Sequence, residues 1–284
     1  MLSHREYVVS AAGYNIAIVE YGDPIGRPVL ALHGWLDNAA TFYAIGGHLS
    51  GIRLIAMDLV GHGRSDHRPA QMPYHLWDNV ADIYEVMKAL ELKKADFVGH
   101  SMGASIAMLF ASSFPKMVDK LLCIEGLGPL VYEVDDLPSL LSEAITKRHR
   151  MASRTLTPYA SFEDAVLARM KGRWPVSREA SEALLERGLT RTDKGYMWSN
   201  DSKLLLPSLI RFSSEQVYSF LQKLESEAIV IIGDEGASES IINRWLDSIE
   251  HLDVIKLKGG HHLHLDPPVA QFLADRINSW ARYE

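Results

Sequence analysis

Eight short runs of the chain are rich in strand-forming residues: REYVVS (5–10), NIAIVEY (15–21), PVLALH (28–33), IRLIAMDL (52–59), ADFVGH (95–100), KLLCIE (120–125), AIVIIG (228–233) and DVIKLK (253–258). Several carry almost no polar residue, the pattern of strands covered on both faces. Between them the apolar period lengthens to that of helices, in HLWDNVADIYEVMKALEL (75–92), ASIAMLFASSF (104–114), ESIINRWLDSI (239–249) and PPVAQFLADRINSW (267–280). Strands alternating with helices predict an α/β fold built on a mostly parallel sheet flanked by helices.

The alternation breaks between residues 128 and 213. No convincing strand is read there, and helix-like segments such as LPSLLSEAITKRHRMA (137–152) and SREASEALLERGL (177–189) are joined by Pro- and Gly-containing connections. This predicts a core domain of residues 1–127 and 214–284, with 128–213 inserted as a helical cap. The aromatics Tyr159, Phe162, Trp174 and Trp198 of this span read as packing residues, with pocket lining as the alternative.

Composition narrows the function classes. The 284 residues are 47% hydrophobic, enough for a substantial core, and the net charge of −7 with dispersed Lys and Arg offers no footprint for nucleic acid. The span 128–213 holds thirteen Lys or Arg against eleven Asp or Glu, a weak positive balance in an acidic chain. Its KRHR run, Lys147 to Arg150, reads as a solvated helix face. One cysteine, Cys123, sits among Leu121, Leu122 and Ile124 and reads as a small buried hydrophobe. MLSHREYVVS lacks the apolar centre of a signal peptide, and no run approaches the ~18 apolar residues of a membrane span, so a cytoplasmic location is expected. There is no internal repeat or low-complexity tract. GHGRSD (61–66) is no dinucleotide fingerprint, because Asp66 stands at the third glycine position, and it reads as a turn after a strand.

The candidate chemistry lies at strand ends. GHSMG (99–103) places Ser101 between a strand and a helix, flanked by glycines that fit a crowded, sharply bent turn, the context that exposes a serine oxygen above a sheet. The helix beginning after Ser101 points free N–H groups toward a developing oxyanion. Met102 is the first oxyanion donor in this reading and Trp35, in the turn after His33-Gly34, the second. In GGHHLHLD (259–266), His261 follows two flexible glycines and is the candidate general base. His262 and His264 lie close by. No separate Cys/His set or HExxH accompanies them, so no metal and no cofactor are expected, and His264 reads as a structural or helix-capping neighbour.

HGW (33–35), DLVGHGRS (58–65), GHSMG (99–103) and GHHLHLD (260–266) together resemble the α/β-hydrolase superfamily over nearly the whole chain, most closely its serine-hydrolase-like branch. The resemblance implies a sheet of about eight strands with the cap inserted after the sixth. The chain departs from the family at IVIIGDEGASES. Many capped relatives place the orienting acid three residues after the glycine that ends this strand, and that position here is Gly236. Two carboxylates can substitute. Glu125, at the end of the strand before the cap, is the first candidate, as some superfamily members take their acid there; Asp234 is the second. The expected activity is cofactor-free hydrolysis of a small carboxylic ester by Ser101, His261 and an acid. Hydrolysis of a carbon–carbon bond in a dienoate ring-fission product is a second reading, and a ligand-binding pseudo-hydrolase, suggested by Gly236, a third.

Overall fold

The computed structural model describes residues 4–151, 157–246, 249 and 252–281. Among the described residues ten strands form: β1 (His4–Ala11), β2 (Tyr14–Gly22), β3 (Arg27–Leu32), β4 (Ile52–Met57), β5 (Asp96–His100), β6 (Lys120–Ile124), β7 (Leu189–Thr192), β8 (Gly195–Trp198), β9 (Glu227–Gly233) and β10 (Leu252–Leu257). Eight of them, those predicted from the apolar runs, make one sheet in the order β1-β2-β4-β3-β5-β6-β9-β10. Only β2 runs against its neighbours; the pairings from β4 to β10 are all parallel.

The helices are α1 (Tyr43–Gly46), α2 (Leu76–Ala89), α3 (Met102–Ser113), α4 (Leu137–Met151), α5 (Phe162–Met170), α6 (Arg178–Gly188), α7 (Ser214–Leu221), α8 (Glu239–Asn243) and α9 (Pro267–Trp280). The predicted segment 239–249 is helical over α8, and its residues 247 and 248 lie outside the described set, as does Ala152 at the end of the α4 prediction. Alternate residues of each strand enter opposite layers. Leu30, Leu32, Phe97, Leu121 and Val230 pack with Ile83 of α2, Ile106 of α3, Val217 of α7 and Ile242 of α8. Val29, Ala31, Val98, Leu122 and Ile231 pack with Ile45 of α1 and Ile277 of α9. Both faces are therefore buried, which is why these strands read as continuous apolar runs. Among the described residues no helix is long and apolar enough to cross a membrane.

Between β6 and β9 the chain leaves the sheet. Here the expectation of an all-helical segment is corrected, because β7 and β8 pair antiparallel, Leu189 opposite Trp198 and Thr192 opposite Gly195. Strands of four residues with charges at Arg191, Asp193 and Lys194 are too short to display a period of two. A Cβ on Gly195 would lie 2.1 Å from the Tyr159 carbonyl oxygen, and Tyr159 bridges Tyr196 on that edge. Tyr159, Phe162 and Trp198 pack around Ala165, Val166 and Leu185, a small core of this segment's own.

Buried ion pairs join the segment to the sheet. Arg187 of α6 donates from Nε to both oxygens of Asp58 (3.0 and 2.9 Å) and from Nη1 to Glu6 on β1 (2.9 Å). Asp58, which follows β4 and is 0% exposed, also accepts from the backbone N–H groups of Ala39 and Arg64, both at 2.7 Å. Removing one partner leaves a desolvated charge, at a cost of about 3–5 kcal/mol. Arg187→Met is therefore expected to lower the unfolding free energy by about 3 kcal/mol in urea denaturation. Arg178→Ala, which breaks only the exposed pairs with Glu163 and Glu182, should leave the midpoint in place.

Candidate active site

The parallel strands β3, β5, β6, β9 and β10 end on one edge of the sheet, where ligands of open α/β sheets bind. Ser101 follows β5 and has φ 52°, ψ −114°, strain of the kind that costs about 1–3 kcal/mol and clusters at functional turns. The positive φ falls on the serine itself, and the flanking glycines serve close approach. A Cβ on Gly103 would lie 2.0 Å from the Leu32 carbonyl oxygen, and one on Gly99 would lie 2.5 Å from the Ala104 nitrogen. The Ser101 N–H donates to the Ile124 carbonyl at the end of β6 (2.8 Å).

His261, on the loop after β10, meets Ser101 with Nε2 3.0 Å from Oγ. Its Nδ1 is 3.0 Å from Glu125 Oε2. Because a carboxylate only accepts, Nδ1–H donates to Glu125 and Nε2 is left to accept from the serine hydroxyl. Glu125 is 2% exposed, has φ 50°, and also accepts from the backbone N–H of Gly233 (2.8 Å) and of Ala237 (3.0 Å). Burial pushes its carboxyl up, but the hydrogen bonds from His261, Gly233 and Ala237 together outweigh burial and hold it below the ordinary carboxylate value.

The glycine at 236 explains why Glu125 fits. A Cβ there would lie 2.1 Å from Glu125 Oε1 and 2.6 Å from Oε2. The carboxylate fills the space that a side chain at 236 would occupy, so an acid at one position excludes a side chain at the other. Asp234, the second sequence candidate, is exposed and braces the turn after β10, accepting from the Gly259 N–H (2.8 Å).

The two candidate oxyanion donors flank the serine. Met102 opens α3, so its N–H is among those a helix leaves unbonded. The loop carrying Trp35 is pressed against Ser101, for a Cβ on Gly34 would lie 3.4 Å from Ser101 Cβ. His33 fixes that loop, accepting at Nε2 from the Leu59 N–H (3.0 Å) and donating from Nδ1 to the Gly34 carbonyl (2.7 Å). Burial lowers the His33 pKa, which keeps the ring neutral as those two bonds require. The Trp35 indole is half exposed and donates to the Leu204 carbonyl (3.0 Å), tying the loop to the segment between β6 and β9.

Sequence reading missed the polar cluster behind His261. His100 donates from Nε2 to the His261 carbonyl (2.8 Å), and His262 donates from Nε2 to Asp37 Oδ2 (2.9 Å). His264 meets Thr41 Oγ1 at 2.7 Å, a structural contact; α9 starts instead from Asp266 with Pro267 at its first position. Burial, then the neighbouring histidines, hold His100 and His264 well below the ordinary imidazole value. Donor atoms of Asp37, His100 and His262 lie within 4.8 Å of one another, a grouping of metal-ligating types. Arg169 of α5 already supplies a cation there, its Nη2 donating to Asp37 Oδ1 (3.3 Å). Burial would raise the Asp37 carboxyl, but His262 and Arg169 hold it well below its ordinary value. Arg169 Nη1 donates to the carbonyl of Trp174 (2.9 Å), whose ring lies 4.6 Å from the His261 ring. A lone Arg inside α5 carries no motif, so spacing could not reveal it. Of the four aromatics flagged in the sequence, Trp174 is the one placed against the candidate residues.

Comparison with known proteins gives the same fold. A model of the alpha/beta hydrolase fold family matches residues 27–268. A serine hydrolase-like protein of Danio rerio is 30% identical over 88% of this chain and 80% of its own length. Serine hydrolase-like protein 2 of Homo sapiens is 31% identical over 94% of this chain and 90% of its own. The crystal structure of a hypothetical protein from Pseudomonas aeruginosa PAO1 superposes with a TM-score of 0.92 at 36% identity, covering 97% of this chain and 98% of that one. A thioesterase domain from the curacin biosynthetic pathway gives 0.83 at 25% identity, covering 97% and 99%. With the sheet, the strained serine turn and the match across residues 27–268 in agreement, the chain belongs to the α/β-hydrolase fold family.

Proposed function

We propose that the protein is a serine hydrolase acting on a small carboxylic ester through Ser101, His261 and Glu125. The observation that carries this reading is the continuous hydrogen-bonded line from Ser101 Oγ through both nitrogens of His261 to a buried, ionised Glu125. Ser101 Oγ bonds to the acyl carbon while its proton passes to His261 Nε2. The Glu125 carboxylate holds the ring in the required tautomer and stabilises the imidazolium. The oxyanion is received by the N–H groups of Trp35 and Met102. Collapse breaks the bond to the leaving oxygen, which takes the proton from Nε2. Water, deprotonated by the same nitrogen, then releases the acid and restores the serine. We further assign residues 128–213 as a cap whose loop after α5 covers the site.

This chemistry acts at the acyl carbon, so the likeness to a thioesterase domain extends the substrate class naturally to thioesters. The basic balance of the cap gives little support to an anionic ring-fission substrate. Its Arg169, Arg178 and Arg187 are engaged with Asp37, with Glu163 and Glu182, and with Asp58 and Glu6. The pseudo-hydrolase reading began from Gly236, and Glu125 occupies the space that glycine leaves open.

A small reactive phosphonate ester is expected to label the folded protein stoichiometrically at Ser101, read by intact mass and peptide mapping. Ser101→Ala should abolish labelling and lower ester turnover by about a millionfold, as loss of a triad serine does elsewhere. No labelling of the folded wild type would defeat the hydrolase reading.

Glu125→Ala should cost about ten-thousandfold in turnover. Gly236→Asp added to Glu125→Ala should restore at least about a hundredfold, whereas Gly236→Asp alone, clashing with Glu125, should destabilise the fold. Failure of the double variant to recover would count against equivalence of the two acid positions.

Because the Glu125 carboxyl is lowered in the native state, its contribution to stability is full above its ordinary value of 4.5 and is lost as pH falls through its native value. Denaturation of wild type and Glu125→Gln across that acid range should show a shallower acid limb in the variant.

A further inference from the structure

Trp174 belongs to no helix or strand; it lies on the loop between α5 and α6. Its ring centroid is 4.6 Å from that of His261, with the planes tilted 33° apart, so the two rings are in direct contact. The Arg173 guanidinium stands 4.9 Å from the same indole centroid, a favourable cation–π placement. What fixes the loop is Arg169, which reaches two acceptors at once: the Trp174 carbonyl through Nη1 (2.9 Å) and Asp37 Oδ1 through Nη2 (3.3 Å). Asp37 is 6% exposed, and its other oxygen is taken by His262, the residue after the candidate base. The planar guanidinium thus spans from the sheet-edge loop that carries Trp35 to the loop that carries Trp174. Lysine, a single point charge, has no such fork.

We infer that Trp174 is the specificity-determining wall for the leaving group, and that Arg169 is the positioning residue that holds it there. This rests on the hydrolase reading above. In acyl transfer the leaving oxygen must come within hydrogen-bond reach of His261 Nε2 to receive its proton, while the carbonyl oxygen turns toward the Trp35 and Met102 N–H groups. The alcohol half of the substrate therefore lies on the His261 side, beside the indole. A flat apolar alcohol, such as a benzyl group, packs against the part of that half-buried ring left uncovered by His261 and Arg173, and a short alkyl alcohol reaches less of it.

The test is kcat/KM for two ester sets. One set holds the acid constant and varies the alcohol between ethyl and benzyl; the other holds the alcohol constant and lengthens the acid. Trp174→Ala is expected to reduce the benzyl-over-ethyl preference about tenfold while keeping the ranking of acids. Trp174→Phe, which retains a ring, should keep most of the preference, and guards against a misfolded alanine variant. Arg169→Met should shift the same preference in the same direction, and Arg169→Lys should not restore it. A change in the acid ranking with the alcohol preference intact would overturn the inference.

A second readout needs no turnover. Added benzyl alcohol should change the fluorescence difference between wild type and Trp174→Phe, and ethanol at equal concentration should not. If Ser101 resists phosphonate labelling while this response appears, the hydrolase reading fails and the wall stands as a binding surface. If Ser101 is labelled and neither the response nor the alcohol preference is seen, the inference fails and the hydrolase reading stands.

Discussion

The contact on which the site depends is that of the Glu125 carboxylate with the bare Cα of Gly236. A carboxyl group in this corner must accept three hydrogen bonds, from His261, Gly233 and Ala237. It can do so only where no side chain projects from residue 236. The result is a buried carboxylate whose desolvation is offset by hydrogen bonds to its charged form, so it remains a charge and not a protonated acid. A neutral Glu125 would hold His261 less firmly in the tautomer that leaves Nε2 free. The backbone helps in the same place: the Glu125 N–H bonds to Ile231 on β9 and the Ser101 N–H to Ile124 on β6. Ser101 and Glu125 are thus stitched to neighbouring parallel strands, and their separation is set by the spacing of the sheet.

The segment between β6 and β9 is attached by interactions of the opposite character. Arg187 with Asp58 and Arg169 with Asp37 are buried charge pairs, which contribute less net stability than their Coulomb attraction suggests because both partners lose water. What they supply is definition. Asp58 also caps the backbone at Ala39 and Arg64, and Asp37 also holds His262, so each arginine meets a carboxylate already fixed by the sheet-edge loops. Apolar packing between the two layers, around Leu184, Leu265 and Tyr43, would permit sliding; a guanidinium whose separate N–H groups each meet a fixed acceptor does not. These pairs hold the segment behind the site and beside β4, in addition to the Trp35 indole bond to the Leu204 carbonyl.

How much of this was legible follows from the range of each signal. The inner sheet strands announced themselves because burial on both faces makes a strand apolar throughout, the edge strands β1 and β10 less so because they are largely exposed, and the serine turn because strand, glycine, serine, glycine and helix are consecutive. His261 was legible from two glycines after a strand. Glu125 was legible only as a strand-end acid, since its suitability depends on residue 236, more than a hundred positions later. Arg169, Arg187, His100 and Asp37 left no trace, and His262 was visible only as a neighbour of His261, as their partners come from distant loops and a lone arginine in a helix looks like any surface charge. The hairpin of β7 and β8 escaped because four-residue strands cannot show a period. Trp174 differed in no sequence feature from Tyr159, Phe162 and Trp198; only the fold separates the ring over His261 from those filling a local core.

The strain bears on whether this is an enzyme or a receptor. Ser101 and Glu125 both hold positive φ without being glycine, at a cost of about 1–3 kcal/mol each, which is a sizeable part of an ordinary domain's stability. A pocket that merely bound a ligand would have no use for a hydroxyl raised on a strained turn, or for a carboxylate reached through a second one. Glycine at either position would relieve the backbone. Two strained residues directed at the two nitrogens of one imidazole fit the proposed proton transfer at Ser101, prepared before a substrate arrives. In the proposed mechanism the same geometry orders its parts: the serine turn and the imidazole would carry the bond-making, Glu125 would fix the tautomer, and the buried arginines fix what lies above them.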